Sequence, residues 1–376
     1  MDLENLFSFV PYAIYTKAFM WSVFAFCMYI SMDYLGSNNN SNLLKMHSQW
    51  PAFILAVVMM LYLGLRPDGS QFGDSYFYRH TYYNIEVDST FKVGSEWFYA
   101  WIQNTCKAFR LNHHMFFFVV EIGYIGFLYA ACRKLLWENT WMAMLFCISA
   151  FSFYTYGVNG IRNGLALHVV LFAFALLATE KKTIIPFVAV LVLGAFGIHK
   201  TVMLPTVAAL GAYFVIKDPK WAIYIWVASI FASLVAGGFF QSAVGTYLSA
   251  QDARAASYTA QQDMSQFSRS GFRWDFILYS SVPVILTYYV SVKRKIRNRT
   301  FEILANTYIL ANSVWVLVNA MSFSNRVAYL SWFLYPIVIA YALIRIHIWD
   351  DQDKKSAYFL MGHSAFTILM MLLGKL

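Results

Sequence analysis

Long apolar runs recur from one end of this chain to the other, and they limit the folds open to it. Each run has roughly 16–20 residues, which is enough for a helix to cross the hydrocarbon core of a bilayer. The 376 residues are 60% hydrophobic and only 12% charged, whereas soluble domains carry about 25% charged residues. Because lipid offers the backbone no hydrogen bonds, such runs must become helices. We therefore expect an all-α polytopic membrane protein.

The runs predict about twelve spanning helices in a single integral membrane domain that covers residues 1–376. Their expected positions are 11–30, 50–65, 115–132, 141–157, 160–179, 183–197, 201–216, 221–240, 275–292, 301–320, 327–345 and 357–373. Basic clusters follow alternate runs, among them "KRKIRNR" at 293–299. The positive-inside rule makes that side of the membrane cytoplasmic and the opposite side the outer one.

The first outer loop, residues 66–114, contains the segment "GSEWFYAWIQNTCKAFR". One helical face of this segment carries Trp97, Trp101, Ile102 and Phe109. This pattern predicts an amphipathic helix that lies in the outer membrane interface.

The second outer loop, residues 241–274, is polar and rich in small residues. Loops longer than about 15 residues without an apolar pattern tend to be lids or disordered segments. We interpret this loop as a lid, and its Arg273 as a supporting residue of the outer site.

Cations stand at four predicted helix junctions on the outer side, which is the side disfavoured for positive charge. Arg66 ends the second run and Arg162 begins the fifth. His199 and Lys200 lie in the turn between the sixth and seventh runs, and Arg326 begins the eleventh. Arginine's planar fork binds phosphate oxygens through two parallel hydrogen bonds, and two or three arginines suit a diphosphate. We therefore expect a cationic pocket that holds an anion.

Acidic residues accompany these cations. Asp74 lies in "FGDSYFY", eight residues after Arg66, and Glu96 opens the interfacial helix. Glu121 falls inside the third run, where we expect it to hold an arginine in place, since an unpaired carboxylate is costly there. If the bound substrate must lose a proton, Asp74 is our first choice of general base and His199 the second.

The sequence gives no persuasive metal or cofactor site, and we expect neither. "DQD" at 351–353 lies beside two lysines on the predicted cytoplasmic side, and His113 and His114 are adjacent, so they do not share a helical face. P-loop, HExxH and GxSxG motifs are missing from the sequence. The net charge of +9 is attributed to membrane orientation and lipid contact, so we expect no nucleic-acid partner.

Several segments, taken in chain order, resemble EpsG-like polysaccharide polymerases of the Wzy type. "RPDGSQFGDSYFYRHTY" is similar to that family's Arg…Gly-x-Asp-x-x-x-Tyr pattern. "NGIRNGLALHVVLFAFALLATEKK" and "GIHKTVMLP" resemble its Arg-Gln…Ala segment and its His-x-Ser/Thr turn. "SNRVAYLSWFLYPIV" resembles its Arg-Ile…Tyr-Phe segment. Asn163 stands where the family pattern has Gln, so this supporting amide has a shorter reach.

This resemblance implies a bacterial glycosyltransferase of the GT-C class that makes capsule, exopolysaccharide or O-antigen. Such enzymes join oligosaccharide repeat units carried on undecaprenyl diphosphate at the periplasmic face of the inner membrane. The implied partners are the lipid-linked donor and acceptor, membrane lipids and a chain-length regulator. In that chemistry the leaving diphosphate gains negative charge, which Arg162, Arg326 and Arg66 would stabilise. Lys200 would contribute a further positive charge.

Two other functions fit part of the pattern. A transporter or flippase for lipid-linked oligosaccharide should place polar residues near the bilayer midplane and often has paired, interrupted helices. The charges here concentrate at one predicted membrane edge, which favours a one-sided enzyme site. A membrane acyltransferase also uses a histidine and arginines in a helical bundle, and the donor it accepts would distinguish it.

Overall fold

The protein is described by a computed structural model that covers residues 10–36, 49–85, 96–251, 271–321 and 324–374. These residues are helical with connecting turns, and no strand occurs among them. The chain divides into two compact units. Unit 1 contains Met1–Met203 and Ala340–Leu376, and unit 2 contains Leu204–Ile339.

Unit 1 contains ten helices within the ranges just given. They are α1 (Tyr12–Gly36), α2 (Gln49–Gly64), α3 (Ser75–Asn84), α4 (Trp97–Ala108), α5 (His113–Leu135), α6 (Thr140–Ile148), α7 (Phe153–Val158), α8 (Ile161–Thr179), α9 (Ile185–Ile198) and α16 (Gln352–Leu372). Unit 2 begins within α10 (Met203–Leu210), and it holds α11 (Pro219–Gln251), α12 (Trp274–Thr287), α13 (Arg299–Leu317) and α14 (Ser324–Trp332). The division between the units falls within α15 (Tyr335–Arg345).

Six helices in the described part of the chain are long and apolar enough to cross a membrane. They are Tyr12–Gly36, His113–Leu135, Ile161–Thr179, Pro219–Ala243, Trp274–Lys293 and Ser324–Arg345. Three further apolar segments are shorter: Gln49–Gly64, Lys182–Ile198 and Lys200–Val215. The all-helical membrane class is therefore confirmed, but the expected count of about twelve spans is not.

The predicted span at 141–157 shows why a count of apolar runs exceeds the count of long helices. This run breaks into α6, which has nine residues, and α7, which has six. At about 1.5 Å per residue, neither half reaches across a hydrocarbon core about 30 Å thick. Hydropathy alone reports that the whole run is apolar, and the backbone break within it is a separate property.

In unit 1, α5 packs against α2 and α8, and α8 packs against α9. Aromatic pairs join the first two helices: the Tyr15 and Tyr62 rings stack 4.3 Å apart, and each hydroxyl donates to the other's carbonyl oxygen. Helix α16 packs against α1, and Thr367 Oγ1 donates to the carbonyl oxygen of Ser149 at 2.7 Å. The hydrogen bond between Thr367 and Ser149 therefore lies at the break between α6 and α7.

In unit 2, α11 packs along α13, and a buried asparagine joins four helices. Asn312 on α13 accepts a hydrogen bond from Trp226 Nε1 of α11 at 2.7 Å. Its amide nitrogen donates to Ser280 Oγ of α12 at 3.2 Å and to Ser331 Oγ of α14 at 2.9 Å. Trp332 Nε1 also donates to Ser280 Oγ, at 2.8 Å.

The two predicted outer loops differ in how much of each the structure describes. A helix, α4, is present where the sequence predicts the interfacial helix, and its Trp101 and the following residue Phe109 are exposed. Its position in a membrane interface stays a prediction. In the predicted lid at 241–274, α11 continues to Gln251, while residues 252–270 lie outside the described part of the chain. The lid also stays a prediction.

Candidate functional site

Several helix junctions of unit 1 meet at one end of that unit. The Ser75 hydroxyl at the start of α3 donates to the carbonyl oxygen of Val158, at the end of α7. The Asp74 backbone N–H donates to Asn159 Oδ1 at 2.7 Å, in the turn before α8. Thr201 Oγ1, after α9, donates to Asn163 Oδ1 at 3.2 Å, near the start of α8. These bonds bring the starts of α3 and α8 and the end of α9 together.

Two glycines permit the close approach of these segments. Gly73 has φ +60°, and a Cβ there would lie 2.4 Å from Asn159 Oδ1. Gly197 lies in the last turn of α9, where a Cβ would come within 2.5 Å of the Trp97 ring. Only a residue without a side chain fits either place. Helix α4 therefore lies directly against α9, two residues before His199.

A carboxylate from α4 joins the two predicted site residues Arg162 and His199. Glu96 accepts a hydrogen bond from Arg162 Nη1, and it accepts another from His199 Nδ1 at 2.5 Å. The three side chains are half-buried, with exposed fractions of 26% for Arg162, 23% for Glu96 and 24% for His199. We call these three residues the Arg162–Glu96–His199 cluster.

Glu96 is held in its charged form. Burial alone would raise the pKa of Glu96, but the hydrogen bonds and charges of His199 and Arg162 outweigh burial and leave that pKa below its usual value. When the His199 ring is neutral, a carboxylate that accepts from Nδ1–H fixes its tautomer and places the lone pair on Nε2. Among the described residues, His199 Nε2 has no hydrogen-bond partner and is free to accept a proton.

Two tyrosines hold the Arg162 guanidinium. Arg162 Nε donates to Tyr78 Oη at 3.4 Å, and the guanidinium carbon lies 5.3 Å from the centre of the Tyr78 ring. The Tyr99 ring centre lies 5.7 Å from the same carbon. Such cation–π contacts fix the plane of the guanidinium. Within the described residues, Nη2 makes no hydrogen bond and remains able to donate to a ligand.

A cavity of about 220 Å³ opens beside Arg162 and Glu96. It is lined by Phe77, Tyr78, Thr81, Glu96, Trp97, Tyr99, Ala100, Gln103 and Arg162. Tyr99 is only 4% exposed, and its hydroxyl has no partner among the described residues. Burial raises the pKa of Tyr99 well above its usual value, so the hydroxyl keeps its proton and can donate. The cavity thus offers an arginine and aromatic walls, and the Tyr99 hydroxyl is buried behind one of them.

The structure places Arg66 near this cluster but not in it. Arg66 is 1% exposed, and its guanidinium donates to the Leu63 carbonyl oxygen at 2.6 Å and to Ser75 Oγ at 2.8 Å. It lies 4.4 Å from the Phe117 ring centre and attracts Glu121, which is also buried. Arg66 therefore braces the start of α3 from inside, and its contact with a diphosphate stays a prediction.

Asp74 and Lys200 lie next to the cluster. Asp74 is exposed and precedes α3, one helical turn before Tyr78. Lys200 directly follows His199 and is partly exposed. The structure therefore keeps Asp74 within reach of this end of unit 1, while His199 is the candidate base that belongs to the cluster. Both roles stay predictions.

Arg273 and Arg326 belong to unit 2. Arg273 donates from Nε and Nη2 to the two carboxylate oxygens of Asp275, at 3.0 Å and 2.9 Å, and lies 3.8 Å from the Phe276 ring centre. This arginine is engaged within its own unit. Arg326 is exposed near the start of α14, and its role at a diphosphate stays a prediction.

Two features of this end of unit 1 were missed or misjudged from sequence. Tyr78 and Tyr99 were not singled out, although Tyr78 follows Asp74 by four residues and Tyr99 follows Glu96 by three, which is the spacing of one helical face. The expectation that His113 and His114 lie apart, because adjacent residues do not share a helical face, is wrong. Their rings lie 4.0 Å apart in the first turn of α5.

Long apolar helices together with a half-buried Arg–Glu–His cluster define a multi-spanning membrane protein with a polar site suited to anions. The model of the EpsG family matches residues 49–374, so the chain belongs to the EpsG family. Comparison with curated proteins and with solved structures gave no significant match. Membership makes this a membrane protein of polysaccharide biosynthesis and points to polymerase activity of a glycosyltransferase kind.

Proposed function

We propose that the protein is a polysaccharide polymerase that joins oligosaccharide repeat units carried on undecaprenyl diphosphate. The Glu96 carboxylate carries this proposal, because it lines the cavity and bonds both to Arg162, a phosphate-binding arginine of the same cavity, and to His199, a proton-accepting histidine next to it. Family membership supports polysaccharide as the product. The sequence pattern favours a site on the periplasmic face of the inner membrane, since the cluster residues fall on the predicted outer side.

In the proposed reaction, a sugar hydroxyl of the acceptor attacks the anomeric carbon of the donor. The bond from that carbon to the diphosphate oxygen breaks, and its electron pair stays on the diphosphate. Arg162 stabilises this growing charge through Nη2, and Lys200 adds a second positive charge. His199 Nε2 takes the hydroxyl proton, and the resulting imidazolium is stabilised by Glu96.

The contact with Glu96 favours His199 over Asp74 as the base. The imidazole is oriented through Nδ1, so Nε2 has a fixed direction. Asp74 is exposed, whereas His199 is half-buried against Glu96. A base must lie within hydrogen-bond reach of the proton that it removes, so an imidazole held by Glu96, a residue of the cavity wall, is the better candidate.

The test is incubation of the purified full-length protein with a labelled lipid-linked repeat unit, followed by separation of the products. We expect a ladder of lengthened chains from the wild type and from Arg133→Ala, whose guanidinium lies over Trp137 and outside the cluster. We expect no ladder from Arg162→Ala. Movement of the lipid across a vesicle membrane without a ladder would instead indicate a flippase, and transfer from an acyl donor would indicate an acyltransferase.

A further inference from the structure

A second polar cluster in unit 1 is formed by Asp68, His113 and His114. One ligand atom from each residue lies within 4.8 Å of the other two. Asp68 follows α2, and the two histidines begin α5. Two imidazoles and a carboxylate are the ligands that zinc and neighbouring first-row divalent metals take in proteins. None of the three residues belongs to the Arg162–Glu96–His199 cluster.

The surroundings of His113 already have the arrangement found around metal-binding histidines. Tyr83 Oη is hydrogen-bonded to Nδ1 of His113 at 2.7 Å, which leaves Nε2 directed at Asp68 Oδ1, 2.9 Å away. Arg79 Nη1 lies 2.7 Å from the other carboxylate oxygen of Asp68 and so orients that side chain. Metal-binding histidines nearly always bond through their second nitrogen in this way, and the partner fixes the ring.

His114 provides an independent observation. Its Nδ1 atom is buried and has no hydrogen-bond partner among the described residues. Its ring lies 4.0 Å from the His113 ring. A buried polar atom without a partner is costly, and His114 is also one of the three residues whose ligand atoms lie within 4.8 Å of one another, so a bound cation is a candidate partner for its imidazole.

We propose that Asp68, His113 and His114 form a binding site for one divalent transition metal of the zinc class. Asp68 is partly exposed, which gives the ion an entry path and leaves a water position in its coordination shell. The ion would join the segment after α2 to the start of α5, and through Tyr83 and Arg79 it would brace α3. Because α3 carries Tyr78, the site supports one wall of the cavity without taking part in the chemistry.

The test uses purified full-length protein, stripped with a chelator and titrated with Zn²⁺ by calorimetry and with Co²⁺ by visible absorption. The wild type should bind one equivalent, with Co²⁺ bands typical of nitrogen and oxygen ligands. His114→Ala should weaken binding at least tenfold, and Tyr83→Phe should weaken it by about 10–100-fold, as loss of a ligand-orienting partner does. At the same concentration, Zn²⁺ should raise the unfolding temperature of the wild type by more than it raises that of His114→Ala.

His347→Ala is the matched control, because His347 is exposed beside Asp350 and lies far from these residues in sequence. If His347→Ala weakens binding as much as His114→Ala does, or if the wild type shows no saturable binding of one equivalent, the proposal is overturned. Should His114→Ala fail to fold, Asp68→Asn provides the same comparison at a more exposed position. Polymerase activity is not the readout, so this outcome is independent of the proposed function.

Discussion

The two units each contain a conspicuous polar cluster, and the clusters differ in charge and in completeness. In unit 2, Asn312, Ser280 and Trp332 are fully buried or nearly so, uncharged and bonded to one another. In unit 1, the Arg162–Glu96–His199 cluster is charged and half-buried, and it adjoins a cavity. Groups there, such as Tyr99 Oη, lack partners among the described residues.

This difference separates a polar network that stabilises helix packing from one prepared for a ligand. A buried network whose members satisfy one another fixes how helices pack and leaves little capacity for a ligand. The Arg162–Glu96–His199 cluster has an imidazole nitrogen and a guanidinium nitrogen without hydrogen bonds among the described residues, so it retains that capacity. We therefore expect changes in unit 1 to alter turnover, and changes at Asn312 to alter stability.

Among the changes that test this difference, we expect substitution of His199 to have the largest effect, and that effect is on the rate of chain extension. His199→Ala should lower chain extension by about 10²–10⁴-fold, the usual contribution of a general base. Asp74→Asn should lower it less than about tenfold, since Asp74 is exposed beside the cluster. The measurement is the initial rate of ladder formation, with unfolding temperature as the check on folding. A larger loss from Asp74→Asn would move the base to Asp74.

A change in the unit 2 network should act on stability instead. Asn312→Ala leaves Trp226 Nε1 without its acceptor and removes two bonds to serines, so we expect a loss of about 1–2 kcal/mol. Chain extension per folded molecule should stay near that of the wild type. Denaturant unfolding in a defined detergent measures the first quantity. An Asn312→Ala protein of unchanged stability would remove the distinction between the clusters.

The smallest effect concerns the pH dependence of stability at Glu96. Its pKa is lower in the folded protein than in the unfolded chain, so the charged form contributes stability above the unfolded value of about 4.3. That contribution disappears as pH falls through the lower folded pKa. Glu96→Gln should therefore unfold at a lower temperature than the wild type at neutral pH, and the gap should narrow in acid. A difference in unfolding temperature that is constant with pH would contradict a charged Glu96 bonded to Arg162 and His199.

The helices and the family were predictable from sequence because both depend on local or ordered signals. Apolar runs mark helices wherever they occur, and the motif containing Arg162 keeps its place in the chain order. The hydrogen bonds of Glu96 were not predictable, because its partners are far away in the sequence. Arg162 lies 66 positions from Glu96, and His199 lies 103 positions from it. That pairing depends on the contact of Trp97 with Gly197, which places α4 against α9.

Burial is the other property that the sequence pattern did not provide. Arg66 and Arg162 both lie next to the ends of apolar runs, and nothing in their immediate neighbours distinguishes them. The structure buries Arg66 against Ser75 and Phe117 and leaves Arg162 at a cavity. The difference arises from the residues packed across from each arginine, which come from α3, α4 and α5. The sequence alone therefore does not distinguish Arg162, at the cavity, from Arg66, which is buried and supports the start of α3.

The proposed chemistry requires Arg162 to act through its planar fork and not through charge alone. The decisive measurement is chain extension by Arg162→Lys, compared with Arg162→Ala and wild type in the same vesicles. A lysine keeps the charge but cannot bond Glu96, Tyr78 and a diphosphate oxygen together from one plane. We predict that the rate of chain extension by Arg162→Lys exceeds that of Arg162→Ala by about tenfold at most. Polymer formation by Arg162→Lys at a rate near that of the wild type would contradict the account.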